Sequence, residues 1–484
     1  MPCLIAAPSS GSGKTLLSLC LAALARQRAL RLQPFKVGPD YLDPQLLSRV
    51  SGLSCRNLDP LLCGEAWLER CFHWHGSRAD LVLVEGVMGL FDGLGSSSRG
   101  SSAAVAAQLG LPVVLVVEAS RQSSSLAALV RGFRDHGREQ APQPLQLAGV
   151  VLNRVNSTRH RQLLSEALAS IAVPLLGVLP SEPVLELPSR HLGLHPPHEL
   201  ADLELRQARW AALAEQHLDL DRLWPLLAPP APAPASAAPG ARRDPISWCL
   251  QQAGGGDLPG PRVKSWAHPL PLAVASDAAF HFRYPETDEL LRALGLEPLP
   301  WSPLADQPLP PGCRGVLLPG GYPELHASQL ASSRRSLAEL GDAARRGLPI
   351  VAECGGLLLL GRSLHDPLGV PHAMAGVLPF GARRGELSLG YRQATAAADG
   401  LLLRRGESVW AHEFHRWQLQ PDLGSSEHLW QVDGWGVPSG FEGWTAPNVH
   451  ASWLHLHWAG CPAIPTRLAA ACGRVVPRPA SAAS

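Results

Sequence analysis

Residues 3–28 read CLIAAPSSGSGKTLLSLCLAALARQR, and the centre of this stretch is Ser9-Ser10-Gly11-Ser12-Gly13-Lys14-Thr15. A glycine-rich turn that ends in Lys-Thr is typical of a P-loop, whose backbone N–H groups, lysine and hydroxyl bind phosphate and Mg²⁺. The apolar run 3–7 predicts a buried strand, and the Ala- and Leu-rich run 16–28 predicts a helix. A chance Gly/Ser turn is the alternative, but strand, loop and helix in this order favour a phosphate-binding loop.

The motif departs from the P-loop pattern at Pro8, which stands where the first glycine would be. We expect this proline to alter the first turn of the loop more than the contacts of Lys14 and Thr15. Lys14 is one of only three lysines, with Lys36 and Lys264, in a chain whose other basic residues are arginines. Because guanidinium and ammonium groups are not interchangeable, a lysine here indicates a position that arginine does not serve.

Composition excludes several classes of protein. The chain has 484 residues, is 46% hydrophobic and 17% charged, and carries a net charge of +1, which is typical of a globular protein of two or three domains. A net charge this small creates no overall electrostatic field that would attract nucleic acid or anionic membranes. No apolar run reaches the ~20 residues of a membrane helix. We also expect no signal peptide. Ten cysteines without a C-x-x-C pair indicate neither a zinc ribbon nor a disulfide framework, so a cytoplasmic location is the simplest expectation.

The sequence divides into two α/β halves. In residues 1–225, short Val- and Leu-rich runs alternate with helical stretches, which predicts a parallel sheet covered on both faces. Pro-, Ala- and Gly-rich residues 226–264 predict a linker. A second α/β domain is predicted at 265–476, and a disordered tail at 477–484. Strands are predicted at 81–84, 112–117, 149–152, 175–178, 272–276, 315–318 and 349–352, and helices of the second half at 286–294, 328–346 and 356–364.

Carboxylates follow two predicted strands of the first half. Lys36 precedes the loop that contains Asp40-Tyr41-Leu42-Asp43, and Glu85 directly follows the strand 81–84. Since ligands bind at the carboxyl ends of strands in α/β sheets, Thr15, Asp40 and Glu85 would converge on one Mg²⁺. The alternatives are a polar turn capped by its own aspartates and a solvated carboxylate at a strand end.

A cysteine occupies the corresponding position in the second half, within Ala352-Glu353-Cys354-Gly355-Gly356. A cysteine between strand and helix projects from the sheet, and the helix N-terminus favours its thiolate; a buried structural cysteine is the alternative. Gly320-Gly321 follow another predicted strand, where their N–H groups can form an oxyanion hole. His455 and His457 share one side of a predicted strand and supply a base. As a metal site they lack a third ligand of suitable spacing.

Segments 10–15, 36–44 and 85–93, in this order, resemble the ATP-binding domain of the cobyrinic acid a,c-diamide synthases and, beyond them, the dethiobiotin synthetase-like P-loop enzymes. The resemblance implies that Mg²⁺–ATP is bound by Thr15, Asp40 and Glu85. It implies two further sets of residues: the ATP-binding positions Gly11, Ser12, Gly13, Lys14, Lys36 and Asn153, and the carboxylate-activating positions Asp40, Tyr41, Leu42, Asp43 and Asp92. Asn153 matches a position that reads adenine, and a cap at the end of a strand is its alternative role.

The order Gly-Gly, Cys, His resembles that of class I glutamine amidotransferase domains. The resemblance implies that Cys354 attacks the glutamine amide, that His455 is the base, and that Gly320 and Gly321 hold the oxyanion. Many such domains carry a Glu two residues after the histidine. Here that position is His457, so the site resembles the Cys–His dyad of the cobyrinic and cobyric acid synthases. The resemblance to the diamide synthase pattern also includes segments 277–284, 389–392 and 411–415. Their alternative roles are binding of the corrin ring, sealing of a domain interface, and packing.

The resemblance implies ATP- and glutamine-dependent amidation of the a and c acetates of cobyrinic acid through an acyl phosphate, in cobalamin biosynthesis. The implied partners are Mg²⁺, ATP, glutamine and a corrinoid acid, with no nucleic acid and no membrane; a homodimer is a further expectation. Hydrogenobyrinic acid or another tetrapyrrole acid is the alternative substrate, and cobyric acid synthesis fits the motifs less well. A regulatory P-loop ATPase with an inert amidotransferase-like domain is the alternative class, which the presence of both Cys354 and His455 disfavours.

Overall fold

The computed structural model describes residues 1–140, 144–182, 189–190, 193–194, 196–231, 244–253, 268–420 and 428–475. The chain divides into two compact units, Met1–Pro245 and Ile246–Ser484. Within the described ranges, no helix combines the length and the apolar character that crossing a membrane requires. The predicted tail 477–484, Lys264 and most of the predicted linker 226–264 lie outside the described residues.

The first unit is built on seven parallel strands, most of which are short apolar runs. The strands are β1 (Leu4–Ala6), β2 (Leu32–Val37), β3 (Arg56–Leu58), β4 (Leu81–Glu85), β5 (Val113–Glu118), β6 (Leu147–Asn153) and β7 (Leu175–Val178), followed by the short strands β8 (Ser189–Arg190) and β9 (Gly193–Leu194). The helices are α1 (Lys14–Gln27), α2 (Leu42–Ser51), α3 (Glu65–Gly76), α4 (Ser102–Leu109), α5 (Ser125–Gln140), α6 (Thr158–Ala169), α7 (Leu203–His217) and α8 (Leu220–Leu223). The sheet has the order β3-β2-β4-β1-β5-β6-β7.

The predicted strands of this unit are present, with bounds that shift by at most two residues. Their continuous apolar runs are buried on both faces, as expected of a parallel sheet covered by helices. The sequence analysis missed β3, because this strand has three residues and two of them, Arg56 and Asn57, are polar although buried.

The ends of the predicted linker belong to the two units. A 3₁₀ helix, Trp224–Leu227, closes the first unit, where the N–H of Cys3 donates to the Leu226 carbonyl at 2.7 Å. On the other side, helix α9 (Pro245–Gln252) packs within the second unit, since the Cys249 Sγ lies 3.4 Å from the Ala459 carbonyl. Apolar residues near both ends of the predicted linker, Leu227 and Cys249, are buried, and its boundaries stay a prediction.

The second unit contains one mixed sheet. Its strands are β10 (Leu270–Ala275), β11 (Leu296–Trp301), β12 (Val316–Leu318), β13 (Ile350–Glu353), β14 (Ser363–His365), β15 (Pro371–Ala373), β16 (Gly381–Ala396), β17 (Ser408–Gln420), β18 (His428–Gly434), β19 (Val437–Ala446), β20 (Val449–Ser452) and β21 (Leu454–His455). Its further helices are α10 (Pro285–Ala293), α11 (Ala327–Ser332), α12 (Arg334–Arg345), α13 (Gly355–Leu360) and α14 (Ala463–Cys472). The order is β11-β10-β12-β13-β20-β19-β18-β16-β14-β15, with β17 paired to β16 and β21.

Strands β11, β10, β12, β13 and β20 are mutually parallel, and β19, β18 and β16 continue the sheet in antiparallel fashion. The predicted α/β class is therefore confirmed, but the antiparallel half was not predicted. Its long strands, such as β16 and β17, mix charged, aromatic and small residues without regular alternation.

Two helix predictions of the second half are wrong in length. The helix predicted at 328–346 is divided at Ser333, whose ψ of 62° is not helical and whose Oγ donates to the Gln329 carbonyl at 3.1 Å. The helix predicted at 356–364 ends at Leu360, because the chain becomes extended at Gly361 and forms β14. Neither change affects the strand ends that carry the candidate site residues.

Candidate active sites

The P-loop lies between β1 and α1 and depends on two glycines. Gly11 and Gly13 have φ angles of 79° and 109°, which glycine adopts at little cost. A Cβ on Gly13 would overlap the Asn153 amide. That amide, at the end of β6, donates to the Ser12 carbonyl at 3.0 Å. Asn153, at the end of β6, therefore holds the P-loop in place by this hydrogen bond. Recognition of adenine by Asn153 stays a prediction.

Replacing Gly13 by Ala is expected to destabilise the P-loop, because the new methyl group would overlap Asn153. The matched control is Gly11→Ala, which has a similar positive φ but no atom within 4 Å of the added Cβ. We expect Gly13→Ala to lower the free energy of unfolding by about 1–3 kcal/mol more than the control does, as overpacking typically costs. Urea unfolding of the two variants measures this difference, and equal effects would contradict the assigned contact.

Lys14 is held by backbone carbonyls at the start of α1. Its Nζ donates to the Met88 carbonyl at 2.6 Å and to the Ser9 carbonyl at 3.4 Å. Burial, and then the charge of Lys36, lower the pKa of Lys14 to about 8. An ammonium group in such surroundings gains from a nearby anion, which suits a phosphate-binding lysine.

Lys36 lies at the centre of a buried group of carboxylates. Its Nζ is 2.6 Å from Asp43 Oδ2, 2.7 Å from Glu85 Oε1 and 3.9 Å from Asp40 Oδ2. Burial alone would lower the pKa of Lys36, but the charges of Asp43, Glu85 and Asp40 raise it above its usual value. Lys36 is therefore a permanent cation that joins the ends of β2, β4 and the loop before α2.

Thr15, Glu85 and Asp43 form a donor set for a hard cation. The Thr15 hydroxyl donates to Glu85 Oε1 at 2.8 Å and lies 3.5 Å from Asp43 Oδ2. Glu85 is fully buried, and its Oε2 has no hydrogen-bond partner among the described residues. Magnesium takes one or two protein carboxylates and completes its shell with phosphate and water, so this sparse set fits it. In the described ranges, no group of three or more His, Cys, Asp or Glu residues could hold a metal ion by itself.

The two aspartates of the loop differ in their surroundings. Burial and the charge of Asp43 raise the pKa of Asp40, whose Oδ1 accepts the Leu42 N–H at 2.9 Å. Burial acts to raise the pKa of Asp43 too, but the charge and hydrogen bond of Lys36 lower it overall. Asp43 is also the aspartate nearer to the Thr15 hydroxyl. Asp43 is thus a candidate ligand beside the predicted Asp40.

The other predicted residues of this unit flank the cluster. Tyr41 and Leu42 are buried at the start of α2. Asp92 is exposed, and its Oδ2 accepts the Gly89 N–H at 2.8 Å in the loop after β4. Sequence reasoning missed Asn57 of β3, whose amide donates to the Gly38 and Asp40 carbonyls at 2.8 Å each. Asn57 fixes the loop that carries Asp40 and leads into α2, where Asp43 lies, and no local motif distinguishes Asn57 in the sequence.

Cys354 lies in a strained turn between β13 and α13. Its φ of 47° and ψ of −107° are unusual for a residue other than glycine, and such strain collects at functional sites. The Cys354 N–H donates to the Ser452 carbonyl at 2.7 Å, and its Sγ lies 3.6 Å from the Phe414 carbonyl. A Cβ on Gly356 would overlap the Leu318 carbonyl, so the tight turn also requires a glycine there.

The glycine pair, the cysteine turn and His455 come together at one end of the sheet. A Cβ on Gly320 would lie 2.5 Å from Cε1 of His455. A Cβ on Gly355, next to Cys354, would lie 2.9 Å from the backbone nitrogen of Gly321. His455 lies on β21, which pairs with β17, the strand that also contacts the cysteine. A nucleophile, a base and two backbone donors therefore share one neighbourhood, as acyl transfer requires.

Burial shifts the pKa values of Cys354 and His455 away from their usual values. Burial, and then the charge of Glu324, raise the pKa of the Cys354 thiol above its usual value. Burial, and then the charges of His412 and His415, lower the pKa of His455 to about 3. The predicted preference for a thiolate is thus not met, because α13 has only six residues and its N-terminus does not outweigh burial. Both shifts act in the same direction, toward an uncharged thiol and an uncharged imidazole.

His457 has surroundings different from those of His455. Strand β21 ends at His455, so the expected common side of one strand does not apply. His457 Nε2 lies 3.5 Å from Glu286 Oε2, and its ring centre is 4.4 Å from that of Tyr284. These contacts lie at the start of α10, which gives His457 a supporting position rather than a place beside Gly320.

The three further segments singled out in the sequence surround the cysteine site. In β16 and β17, Glu413 binds Arg392 Nε at 2.7 Å and His415 Nε2 at 2.8 Å. Burial alone would raise the pKa of Glu413, but the hydrogen bond and charge of His415 and the charge of Arg392 lower it to about 2. From segment 277–284, the Phe282 ring lies 6.4 Å from that of His455. These contacts lie within the second unit, and corrin binding or sealing of a domain interface by these segments stays a prediction.

Comparison with known proteins covers nearly the whole chain. Residues 3–194 match the CobQ/CobB/MinD/ParA nucleotide binding domain, and residues 272–462 match the CobB/CobQ-like glutamine amidotransferase domain. Cobyrinate a,c-diamide synthase of Synechococcus sp. is 40% identical over 96% of this chain and 96% of that protein. The enzyme of the same name from Gloeobacter violaceus is 42% identical over 95% and 94%. Hydrogenobyrinate a,c-diamide synthase of Streptomyces coelicolor is 41% identical over 97% and 96%.

Proposed function

This chain belongs to the family of cobyrinate and hydrogenobyrinate a,c-diamide synthases, and we propose that it amidates the a and c acetate carboxylates of cobyrinic acid with ATP and glutamine. The observation that supports the proposal is that one chain carries two groups of residues with the required chemistry. One group is Lys14, Lys36 and Glu85 at the P-loop, and the other is Cys354 and His455 near the Gly320–Gly321 pair.

The P-loop unit solves the problem of an unreactive carboxylate. A carboxylate does not react with ammonia, because its oxygen is a poor leaving group. Attack of the carboxylate oxygen on the γ-phosphorus of ATP gives an acyl phosphate and ADP, with Lys14 and Lys36 balancing the charge. Ammonia then attacks the carbonyl carbon and displaces phosphate, which leaves the amide. Mg²⁺ held by Thr15, Glu85 and an aspartate would neutralise phosphate charge.

The second unit supplies the ammonia. The Cys354 sulfur attacks the side-chain amide carbon of glutamine while the neutral His455 accepts the thiol proton. The N–H groups of Gly320 and Gly321 stabilise the oxyanion of the tetrahedral intermediate. His455 returns the proton to the leaving nitrogen, and water hydrolyses the thioester to glutamate.

The substrate is tested by supplying two acids that differ only in the metal of the ring. Relatives of both names are equally similar to this chain, so identity does not decide between cobyrinic and hydrogenobyrinic acid. Each acid is incubated with ATP and glutamine, and the molecular mass of the product is measured by mass spectrometry. We expect cobyrinic acid to show two successive exchanges of OH for NH₂. Exchange on hydrogenobyrinic acid alone would change the substrate, and exchange on neither would refute a corrinoid amidation.

The lowered pKa of the buried His455 leads us to expect an unusual pH profile for glutamine hydrolysis. Because the pKa of His455 is lowered to about 3, its imidazole stays unprotonated, and able to accept a proton, throughout the range from pH 8 to pH 5. We expect kcat/KM for glutamate release to show no acid limb of the kind that an ordinary histidine produces near pH ~6.5. Circular dichroism at each pH controls for unfolding. A limb near that pH, with the fold intact, would contradict the assigned environment of His455.

A further inference from the structure

The chain bends at Trp453, two residues before His455, the base proposed for the cysteine site. Strand β20 pairs with β13 and β19, whereas β21 pairs with β17. The chain therefore changes partner strands within one residue, and this change sets the position of His455. A bend of this kind withdraws backbone groups from the sheet ladder, and these groups need other partners when they are buried.

Ser452 connects the bend to both residues of the dyad. Its carbonyl accepts the N–H of Cys354 at 2.7 Å. Its Oγ accepts the N–H of Leu454, the residue before His455, at 3.0 Å. A shift of Ser452 would therefore move the nucleophile and the base relative to one another.

Glu442 of β19 holds the bend through both of its carboxylate oxygens. Oε2 accepts the hydroxyl of Ser452 at 2.7 Å, and Oε1 accepts the N–H of Trp453 at 2.5 Å. Trp453 is 6% exposed, so this N–H relies on a protein acceptor. Burial raises the pKa of Glu442 to about 8, since a charged carboxylate is unfavourable at this buried position.

The ring of Trp453 completes the arrangement. It stacks on the ring of His415 with centres 3.9 Å apart and planes 10° apart. The backbone of the bend is thus held by Glu442, and its side chain is held by β17.

We propose that Glu442 is a positioning residue of the glutamine-hydrolysing site, which fixes the bend at Trp453 and through it the placement of His455 relative to Cys354. Glu442 acts through Ser452 and the backbone. The proposal rests on the proposed glutamine chemistry, but glutamate release measures it without the corrinoid substrate. Absence of corrinoid amidation with normal glutamate release would refute the proposed substrate and leave this role standing.

The test compares Glu442→Ala with Glu442→Gln. Glutamine retains an oxygen for the Trp453 N–H and an NH₂ group that can donate to the Ser452 hydroxyl oxygen, whereas alanine has neither. We expect Glu442→Ala to lower kcat for glutamate release about 10- to 100-fold, as small displacements of catalytic groups do. The KM for glutamine and amidation with free ammonia should change little. Glu442→Gln should restore kcat to near the original value, which a role dependent on the charge alone would not allow.

Two further variants complete the design. Glu339→Ala on α12 is the matched control, because Glu339 Oε2 likewise accepts a backbone N–H, that of Leu309, at 2.7 Å; glutamate release should be unaffected. Ser452→Ala keeps the carbonyl for Cys354 but loses the hydroxyl, and a similar fall in kcat is expected. It decides the question if Glu442→Ala fails to fold.

Three results would overturn the proposal. The first is an unchanged kcat for glutamate release in both Glu442→Ala and Ser452→Ala. The second is an equal loss in Glu442→Ala and Glu442→Gln. The third is a parallel fall of glutamate release and ammonia-dependent amidation in Glu442→Ala, which would indicate a general effect on the fold.

Discussion

Replacing Cys354 by Ser is expected to abolish glutamine-dependent amidation and to leave amidation with free ammonia intact. The serine hydroxyl is a far weaker nucleophile than cysteine sulfur in the same strained turn, and loss of a nucleophile in such sites costs on the order of 10³-fold or more in kcat. The P-loop unit does not depend on Cys354, so carboxylate activation should continue. Initial rates with glutamine and with ammonium salts, under otherwise equal conditions, measure the two outcomes.

The matched control is Cys461→Ser. Cys461 lies in the same unit, and its Sγ is 3.6 Å from a backbone carbonyl, that of His457, as the Cys354 Sγ is from Phe414. This variant should keep both rates. If Cys354→Ser lost the glutamine- and ammonia-dependent rates equally, the assignment of separate sites would be wrong.

Replacing Glu85 by Gln is expected to lower amidation with free ammonia as well as with glutamine. Glu85 Oε1 is shared by the Thr15 hydroxyl and the Lys36 ammonium, and Glu85 is fully buried. Its loss removes the charge that organises the phosphate side of the site, and removal of one preorganised electrostatic group costs on the order of 10²- to 10³-fold in kcat. Amidation with glutamine and with ammonia should fall together, while the Cys354 site retains its chemistry.

The control for this variant is Glu118→Gln. Glu118 also ends a parallel strand of the same sheet, where its Oε1 accepts the Ser120 N–H at 3.0 Å, but it does not contact Lys36 or Thr15. Its replacement should leave both rates near the original value. Retention of ammonia-dependent amidation in Glu85→Gln would show that the carboxylate is not required for activation.

Local signatures were sufficient to predict the P-loop and the cysteine turn. Gly13, Lys14 and Thr15 are adjacent in sequence and lie at the junction between one strand and one helix. The same holds for Cys354, which lies between β13 and α13. In both cases the functional residues form a short motif that the sequence displays directly, although partners such as Glu85 for Thr15 and Ser452 for Cys354 lie far along the chain.

Contacts between distant strands could not be predicted in this way. Asn57 supports the aspartate loop only because β3 lies beside β2, and Glu442 reaches Ser452 only because β19 lies beside β20. Neither residue belongs to a recognisable motif. The charge state of Cys354 was mispredicted for a related reason, since burial by distant segments outweighs the local effect of a helix N-terminus.

The presence of two sites that serve one reaction is tested most directly by following the nitrogen. The intact chain is incubated with cobyrinic acid, ATP and glutamine labelled with ¹⁵N in its side-chain amide, and the corrinoid product and ADP are quantified. The account predicts that each new amide carries the label, and that one ADP and one glutamate form for each amide. Unlabelled amides, or ADP and glutamate released without any amidated corrinoid, would contradict it.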